Sequence, residues 1–474
     1  MKLRLSVVAA TATVAATLLS LPAGSLAQKS PDMKLIQNDY GVPGSAERFE
    51  LEQAIVREKL NTALLPAMRA HGIDMWVVLD RENHPDPISE SLGGGHSGVR
   101  TAFIFFDNGS DKPEKIYLSS HELGANSVVS QVYDVKKYYG YSKEGLMPLL
   151  REAILSRKPK HIGVDQSITL PDADGLTVSL RQFLEQAIGP EYAKRIVPSE
   201  LVVRDFRLHR TPLELASYTR LVAWTARWQT EALSAANVHV GVTTAEDIAW
   251  WLQDRALQVH LTGGGSPRIV REGVLLPLAD PRLTVKPGDI ISIDGGMHYL
   301  FYNTDIKRTV YILKPGETEP PASIQKAWND TLKIAELYRS KMIPGSIGHV
   351  VWEDIAKDYQ SHGYAIAYPD SGGRAATDTQ LEVGIYGHST GNSAHDIGTR
   401  IATDWPMAYG DRVDYPLQLG EWYSEEFHVS TPIPEWGGKT WYARFEENMR
   451  VGPNGGEYLI PRQEKLLVIP SVTN

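Results

Sequence analysis

Apolar positions recur at helical spacing from about Glu47 to Ala70, which predicts an amphipathic helix. The run Ile73-Asp74-Met75-Trp76-Val77-Val78-Leu79 reads as a buried strand. Thr101–Phe106 and Lys115–Leu118 read as two more strands, with Asn108-Gly109 as a turn between them. A helix near Leu146–Ser156 and a strand around His161–Val164 continue the pattern. Helices alternating with strands predict an α/β unit that ends near Val203.

A second unit opens at Thr211. Thr211-Pro212-Leu213-Glu214 is a capping box with proline at the first helical position, and it predicts a helix to about Ala236. Thr243-Thr244-Ala245-Glu246 repeats the signal and opens a helix to about Val259. Beyond it the pattern turns to short β-like runs rich in Gly, Pro and Trp, so this half reads as α+β. Lys286-Pro287-Gly288-Asp289 is a turn into a strand at 290–296, and a second strand runs from Tyr302 to Ile312. A hairpin turning at Tyr299-Leu300 would set Asp294 opposite Asp305.

Composition narrows the chemistry. The chain has 474 residues, beyond one typical domain, and no cysteine, so disulfides, thiolate metal sites and cysteine nucleophiles are excluded. Its formal net charge is -9, without a basic stripe, so nucleic acid is not an expected partner. Lys2 and Arg4, the apolar stretch from Leu5 to about Leu21, and Ser25-Leu26-Ala27 read as a secretory signal peptide cut after about Ala27. The competing reading, an N-terminal membrane anchor, suits this short, Ala- and Thr-rich stretch less well, and no later segment is apolar enough to span a bilayer. A secreted chain without cysteine suggests a bacterial periplasm.

Asp294 and Asp305 within apolar strands would repel each other unless a cation lies between them or one is protonated. Two turn-proximal aspartates on an exposed ribbon are the competing reading. His388 and His395 lie in the Gly-rich segment Tyr386–Asp396 and could serve one site, as a metal ligand or as a donor to a substrate carbonyl. The same segment holds Gly387-His388-Ser389-Thr390-Gly391, a match to the G-x-S-x-G nucleophile elbow that His428 could serve. An elbow needs a helix after it, and Asn392–Gly398 is a poor helix start. Glu426 lies in the strand-like run Leu419–Phe427, and Arg444 and Glu446 would share one strand face. Taken singly, each glutamate reads as a solvated strand edge. Hard oxygen ligands with one imidazole and no thiolate suit Mn²⁺, Co²⁺, Fe²⁺ or Zn²⁺ in a two-metal site.

In their order and spacing these residues resemble the pita-bread metallopeptidases: methionine aminopeptidase, prolidase, Xaa-Pro aminopeptidase and the metal-free relative creatinase. The resemblance covers nearly all of the chain after the signal. It implies a signal over 1–27, a creatinase/prolidase-like α/β domain over 28–205 and an α+β pita-bread catalytic domain over 206–474. It implies that Asp294, Asp305, His388, Glu426 and Glu446 bind two divalent ions, Mn²⁺ first, which share a bridging hydroxide that attacks short peptides. Glu426 would move the water proton, His395 would donate to the carbonyl oxygen, and Arg444 would orient Glu446 or Asp305. Trp405, Trp422, Trp436 and Trp441 would line a pocket or pack in the core. A homodimer fits the family, and stable membrane insertion after signal cleavage does not.

The sequence departs from that pattern in three places. A histidine expected near Leu276-Pro277 is absent, Gly384 stands where proline-specific members carry another, and Phe427 follows Glu426 in place of proline. Glu425 becomes the ligand if the register moves by one. The resemblance therefore leaves open proline specificity, a non-peptide or amide substrate, and a binding protein without catalysis.

Overall fold

Val77, Val78 and Leu79 place β-branched and aliphatic side chains on both faces of their strand, as a central sheet position requires. That strand, β1 (Met75–Arg81), sits inside a six-stranded mixed sheet in this computed structural model, which describes residues 41–95, 98–124, 127–277, 283–367, 382–402 and 410–471. The signal segment lies outside the described residues. β2 (Arg100–Phe106), β3 (Glu114–Ser119), β4 (Val135–Tyr138), β5 (Ile162–Val164) and β6 (Ile196–Pro198) complete the sheet in the order β4-β3-β2-β1-β5-β6. The expected helix at 47–70 is two helices, α1 (Ser45–Thr62) and α2 (Leu64–Ala70). Helices α3 (Met147–Leu155) and α4 (Val178–Ala193) pack against the sheet through Leu150, Ile154, Leu180 and Leu184. Helix α5 (Glu200–Leu208) leads out of this part of the chain.

Thr211 caps α6 (Pro212–Ala232) with the reciprocal bonds the sequence specifies: its hydroxyl accepts from the Glu214 amide, and Glu214 accepts from the Thr211 amide at 2.8 Å. The next cap lies one residue later than expected. Thr244, not Thr243, caps α7 (Ala245–Gln258) with Asp247 as its partner, because the Thr243 hydroxyl already accepts from the His239 amide at 2.8 Å. Two further helices, α8 (Ala322–Ser340) and α9 (Gly348–Ser361), interrupt what the sequence pattern suggested was β-like. The signal is present: Ile324, Ala327, Trp328, Thr331, Ile334, Ala335 and Tyr338 recur at helical spacing and are all buried. The second half of the chain is thus a helix pair and a mixed sheet, followed by a second helix pair and a second sheet. Among the described residues no helix is long and apolar enough to cross a membrane.

The first of these sheets contains β7 (Ser266–Arg271), β8 (Ile290–Gly295) and β9 (Ile306–Ile312). The second contains β10 (Glu382–Ile385), β11 (His388–Ser389), β12 (Trp422–Pro432), β13 (Thr440–Gly452) and β14 (Gly455–Tyr458). Long strands β12 and β13 pair directly, with Glu426 opposite Glu446 and Phe427 opposite Phe445. Side chains alternate across a strand. Phe427, Val429, Ala443 and Phe445 therefore pack on α8 and α9, while Ser424, Glu426, His428, Arg444, Glu446 and Asn448 share the other face.

Candidate metal centre

The β8–β9 hairpin turns one residue later than the sequence pattern suggested. Tyr299 pairs with Tyr302, so Leu300 and Phe301 form the turn, and Leu300 takes a left-handed φ of 54°. Moving the turn by one residue moves the register by two. Asp294 consequently faces Lys307, not Asp305. A shift of two keeps the same sheet face, so Asp305 stays beside Asp294 as a diagonal neighbour.

Asp294 and Asp305 from the first sheet meet His388, Glu426 and Glu446 from the second. Three overlapping groups bring single ligand atoms within 4.8 Å of one another: Asp305, His388 and His395; His388, Glu426 and Glu446; Asp294, Asp305 and Glu446. All five expected ligands thus converge, with His395 beside them. The ring of His395 stands edge-on to that of His388 at 4.3 Å, and its Nε2 lies 3.9 Å from an Asp305 oxygen. Glu425 points to the opposite sheet face and accepts from the Tyr458 hydroxyl at 2.6 Å, so the pleat selects Glu426.

His388 is fully buried. Its Nδ1 donates to the Ser389 carbonyl at 3.0 Å, which leaves Nε2 as an acceptor with no hydrogen-bond partner. That lone pair faces Glu446 Oε1 at 3.6 Å and Glu426 Oε2 at 3.7 Å. Three acceptors converging in this way repel unless a cation lies among them. The donor set therefore fits a divalent cation on the His388 side.

The other oxygens of the same two glutamates face Lys307. Its ammonium lies 2.6 Å from Glu446 Oε2, 2.8 Å from Glu426 Oε1 and 3.2 Å from Asp294 Oδ2. Burial alone would lower the lysine pKa, but Glu446, Glu426 and Asp294 outweigh it and hold the pKa well above the usual value. Burial also opposes ionisation of Glu446, which the Lys307 ammonium nevertheless keeps well below the usual range. Asp305 is pushed well up by burial and by the Glu446 charge, and Asp294 is raised by burial. One ammonium leaves this carboxylate cluster short of positive charge.

Supporting contacts fix these side chains. Ser424 Oγ donates to Glu446 Oε1 at 2.5 Å. The Asn448 side chain bonds both the amide and the carbonyl of Asp305. Asp396 is fully buried and accepts from Arg210 at 2.8 Å, from Arg207 at 3.2 Å and from the amides of Asn392 and Ile397, which clamps the segment carrying His395. Loss of surrounding water lowers the His395 pKa to about 4, so its ring is neutral at physiological pH.

A cavity of about 660 Å³ opens onto the centre, with Arg268, Arg400, Arg444, His428, Tyr386 and Tyr442 in its wall beside the carboxylates. Arg444 thus faces the cavity, and no hydrogen bond among the described residues joins it to Glu446 or Asp305. Trp422, Trp436 and Trp441 are core residues; Trp422 stacks on Tyr218 at 4.0 Å, and Trp405 lies outside the described residues. No helix follows Ser389, which is fully buried with its hydroxyl against the Trp422 carbonyl, so the nucleophile elbow is not formed. Leu276 and Pro277 lie at the end of a short hairpin and are absent from the cavity wall.

Gly384 has a specific physical cause. A Cβ there would fall 2.3 Å from His428 Cε1. The ring of His428, from the paired strand, already fills the space between Tyr386 and Tyr442. Its Nε2 is buried without a partner, and burial, then Arg444, lowers its pKa to about 4. Sequence reasoning missed Lys307 and the role of His428. The signal for Lys307 was a cation within a strand whose every residue is buried.

Residues 223–453, which carry all of these ligands, match metallopeptidase family M24. That match spans just under half of the chain. The match groups this stretch with metal-dependent hydrolases. Its fold is similar to that of an X-Pro aminopeptidase from Thermotoga maritima (TM-score 0.61, 18% identity, 85% of this chain and 99% of that one). It is also similar to an Xaa-Pro dipeptidase from Bacillus anthracis (TM-score 0.56, 16% identity, 88% and 99%). The N-terminal domain of FACT complex subunit SPT16 from Cicer arietinum shares the fold as well (TM-score 0.53, 14% identity, 87% and 96%). No functionally curated protein matches the sequence.

Proposed function

We propose that this protein is an exported M24-type metallopeptidase that hydrolyses short peptides, of the Xaa-Pro aminopeptidase or dipeptidase kind. The observation that carries this reading is the bare Nε2 of His388 facing one oxygen each of Glu426 and Glu446. His388, Glu426 and Glu446, with Asp305, would hold a divalent cation, Mn²⁺ first. Such an ion supplies Lewis acidity toward a carbonyl.

The chain's own residues do the rest. Glu426 is positioned to take a proton from an attacking water and return it to the leaving amine. Neutral His395 offers an N–H toward a carbonyl oxygen as charge builds there. Arg268, Arg400 and Arg444 share the cavity wall with the acidic cluster. A short zwitterionic peptide matches that polarity, with its amine toward the carboxylates and its carboxylate toward the guanidiniums. His428 supports a proline-type preference, because it brings an imidazole to the place where Gly384 provides none.

The test uses the purified mature chain, stripped with chelator and reloaded with Mn²⁺ or Co²⁺. A peptide library that includes Xaa-Pro sequences is incubated with it and read by mass spectrometry. Metal-dependent cleavage, lost in His388→Ala, supports the reading. Cleavage that is indifferent to chelator, or no cleavage with either ion, refutes it. N-terminal sequencing of the processed protein checks export and the cut after about Ala27.

A further inference from the structure

We infer that the Lys307 side chain fills one of the two cation positions of this centre, so that the folded chain binds a single divalent ion. The inference rests on the metal-site reading above and concerns how many ions it admits. An ammonium carries three N–H donors. Three carboxylates surround it, those of Glu446, Glu426 and Asp294, all within 3.2 Å.

Glu426 and Glu446 divide their oxygens between two sides. Glu426 Oε1 and Glu446 Oε2 face the ammonium, while Glu426 Oε2 and Glu446 Oε1 face His388. This is how two carboxylates would bridge two cations, with the lysine as one of them. Asp294, Asp305 and Glu446 also converge closely enough to hold a metal. Two of those three already contact Lys307, so a metal there would displace the ammonium.

Lys307 also lines the cavity, so displacement means pulling its ammonium off three carboxylates. Lys307 lies in β9, where every residue is buried, and only 3% of its side chain is exposed. Moving it would break three close ion pairs with buried or half-buried carboxylates, a large penalty compared with keeping it paired. The charges agree with one ion. Four carboxylates around one ammonium leave three negative charges, and one divalent ion reduces that residue to one.

The experiment counts ions on the full-length folded protein and does not depend on turnover. Chelator-treated wild type, Lys307→Ser and Lys307→Arg are titrated with Co²⁺ and Mn²⁺. Binding is read by visible absorption, by calorimetry, and by mass-spectrometric metal analysis after desalting, with circular dichroism to confirm folding. Wild type and Lys307→Arg are expected to bind one equivalent, and Lys307→Ser two. Two equivalents on wild type overturn the inference, and this holds even if Lys307→Ser does not fold. A folded Lys307→Ser that gains no equivalent also overturns it. Wild type that binds no metal, with Lys307→Ser gaining sites, keeps the lysine assignment and removes the metal-dependent peptidase reading instead. The two readings therefore fail separately.

Discussion

Asp396→Asn removes one charge from the clamp behind His395 while keeping the side chain's shape. The carboxylate is fully buried and accepts from Arg210 at 2.8 Å, Arg207 at 3.2 Å, and two backbone amides at 2.9 Å. Asparagine turns one of those oxygens into a donor aimed at donors, and it strips the two guanidiniums of their shared counter-charge. Removing one member of a buried ion pair costs about 3–5 kcal/mol. Arg207 keeps Asp172 at 2.9 Å and Arg210 keeps Glu214 at 3.8 Å. Those remaining partners put the expected loss at the lower end, about 3 kcal/mol.

The sign of the pH dependence follows from the lowered Asp396 pKa. Burial opposes ionisation, but Arg207 and Arg210 outweigh it and hold the group below 3.8. Its stabilisation is therefore present above that value and is lost as pH falls through the folded pKa. Urea unfolding of both proteins at 25 °C, from pH 8 to pH 3, measures this. The gap should be constant down to about pH 5 and shrink below about pH 4. A gap under about 1 kcal/mol at neutral pH, or one unchanged at pH 3, would show that the clamp does not carry the assigned energy.

Asp165→Asn should act in the opposite direction. Burial raises Asp165 to about 6, beside Asp86, which burial and the Asp165 charge also push well up. A raised pKa means stability is lost as pH rises from about 4 to 6, so the variant should be more stable than wild type at pH 7.5 by about 1–3 kcal/mol, with a higher melting temperature, and equally stable below pH 4. Its retained oxygen still accepts from Trp76 at 2.6 Å and Ser199 at 2.5 Å, and a lower melting temperature at pH 7.5 counts against the account. Ser424→Ala removes the donor to Glu446, and the Co²⁺ dissociation constant should rise about 10–100-fold, a weakening that calorimetry would detect or exclude. Ser389→Ala should keep peptide hydrolysis, and a fluorophosphonate should leave no adduct on wild type; a labelled Ser389 revives the serine chemistry.

Much of the site was legible because its ligands are carried by local signals. Paired aspartates in apolar strands, a glycine-rich segment with two histidines and two strand glutamates each declare themselves within a few residues. The capping box at Thr211 was legible for the same reason, since its partners lie three residues apart. Helices α8 and α9 were also written in the pattern, through buried positions at helical spacing, but Gly, Pro and Trp around them obscured it.

The sequence by itself determined the chemical type of the centre: carboxylates and imidazole without thiolates, arranged in the order of a metallopeptidase. Tertiary structure decided which residues share a face and which charge ends up between them. One residue of turn position moved the hairpin register by two and put Lys307, not Asp305, opposite Asp294. Strand pairing selected Glu426 over Glu425 and set His428 over Gly384. Registers and cross-sheet distances depend on how distant segments pack, and a linear pattern does not encode them. An ammonium reaches three carboxylates only once both sheets are in place.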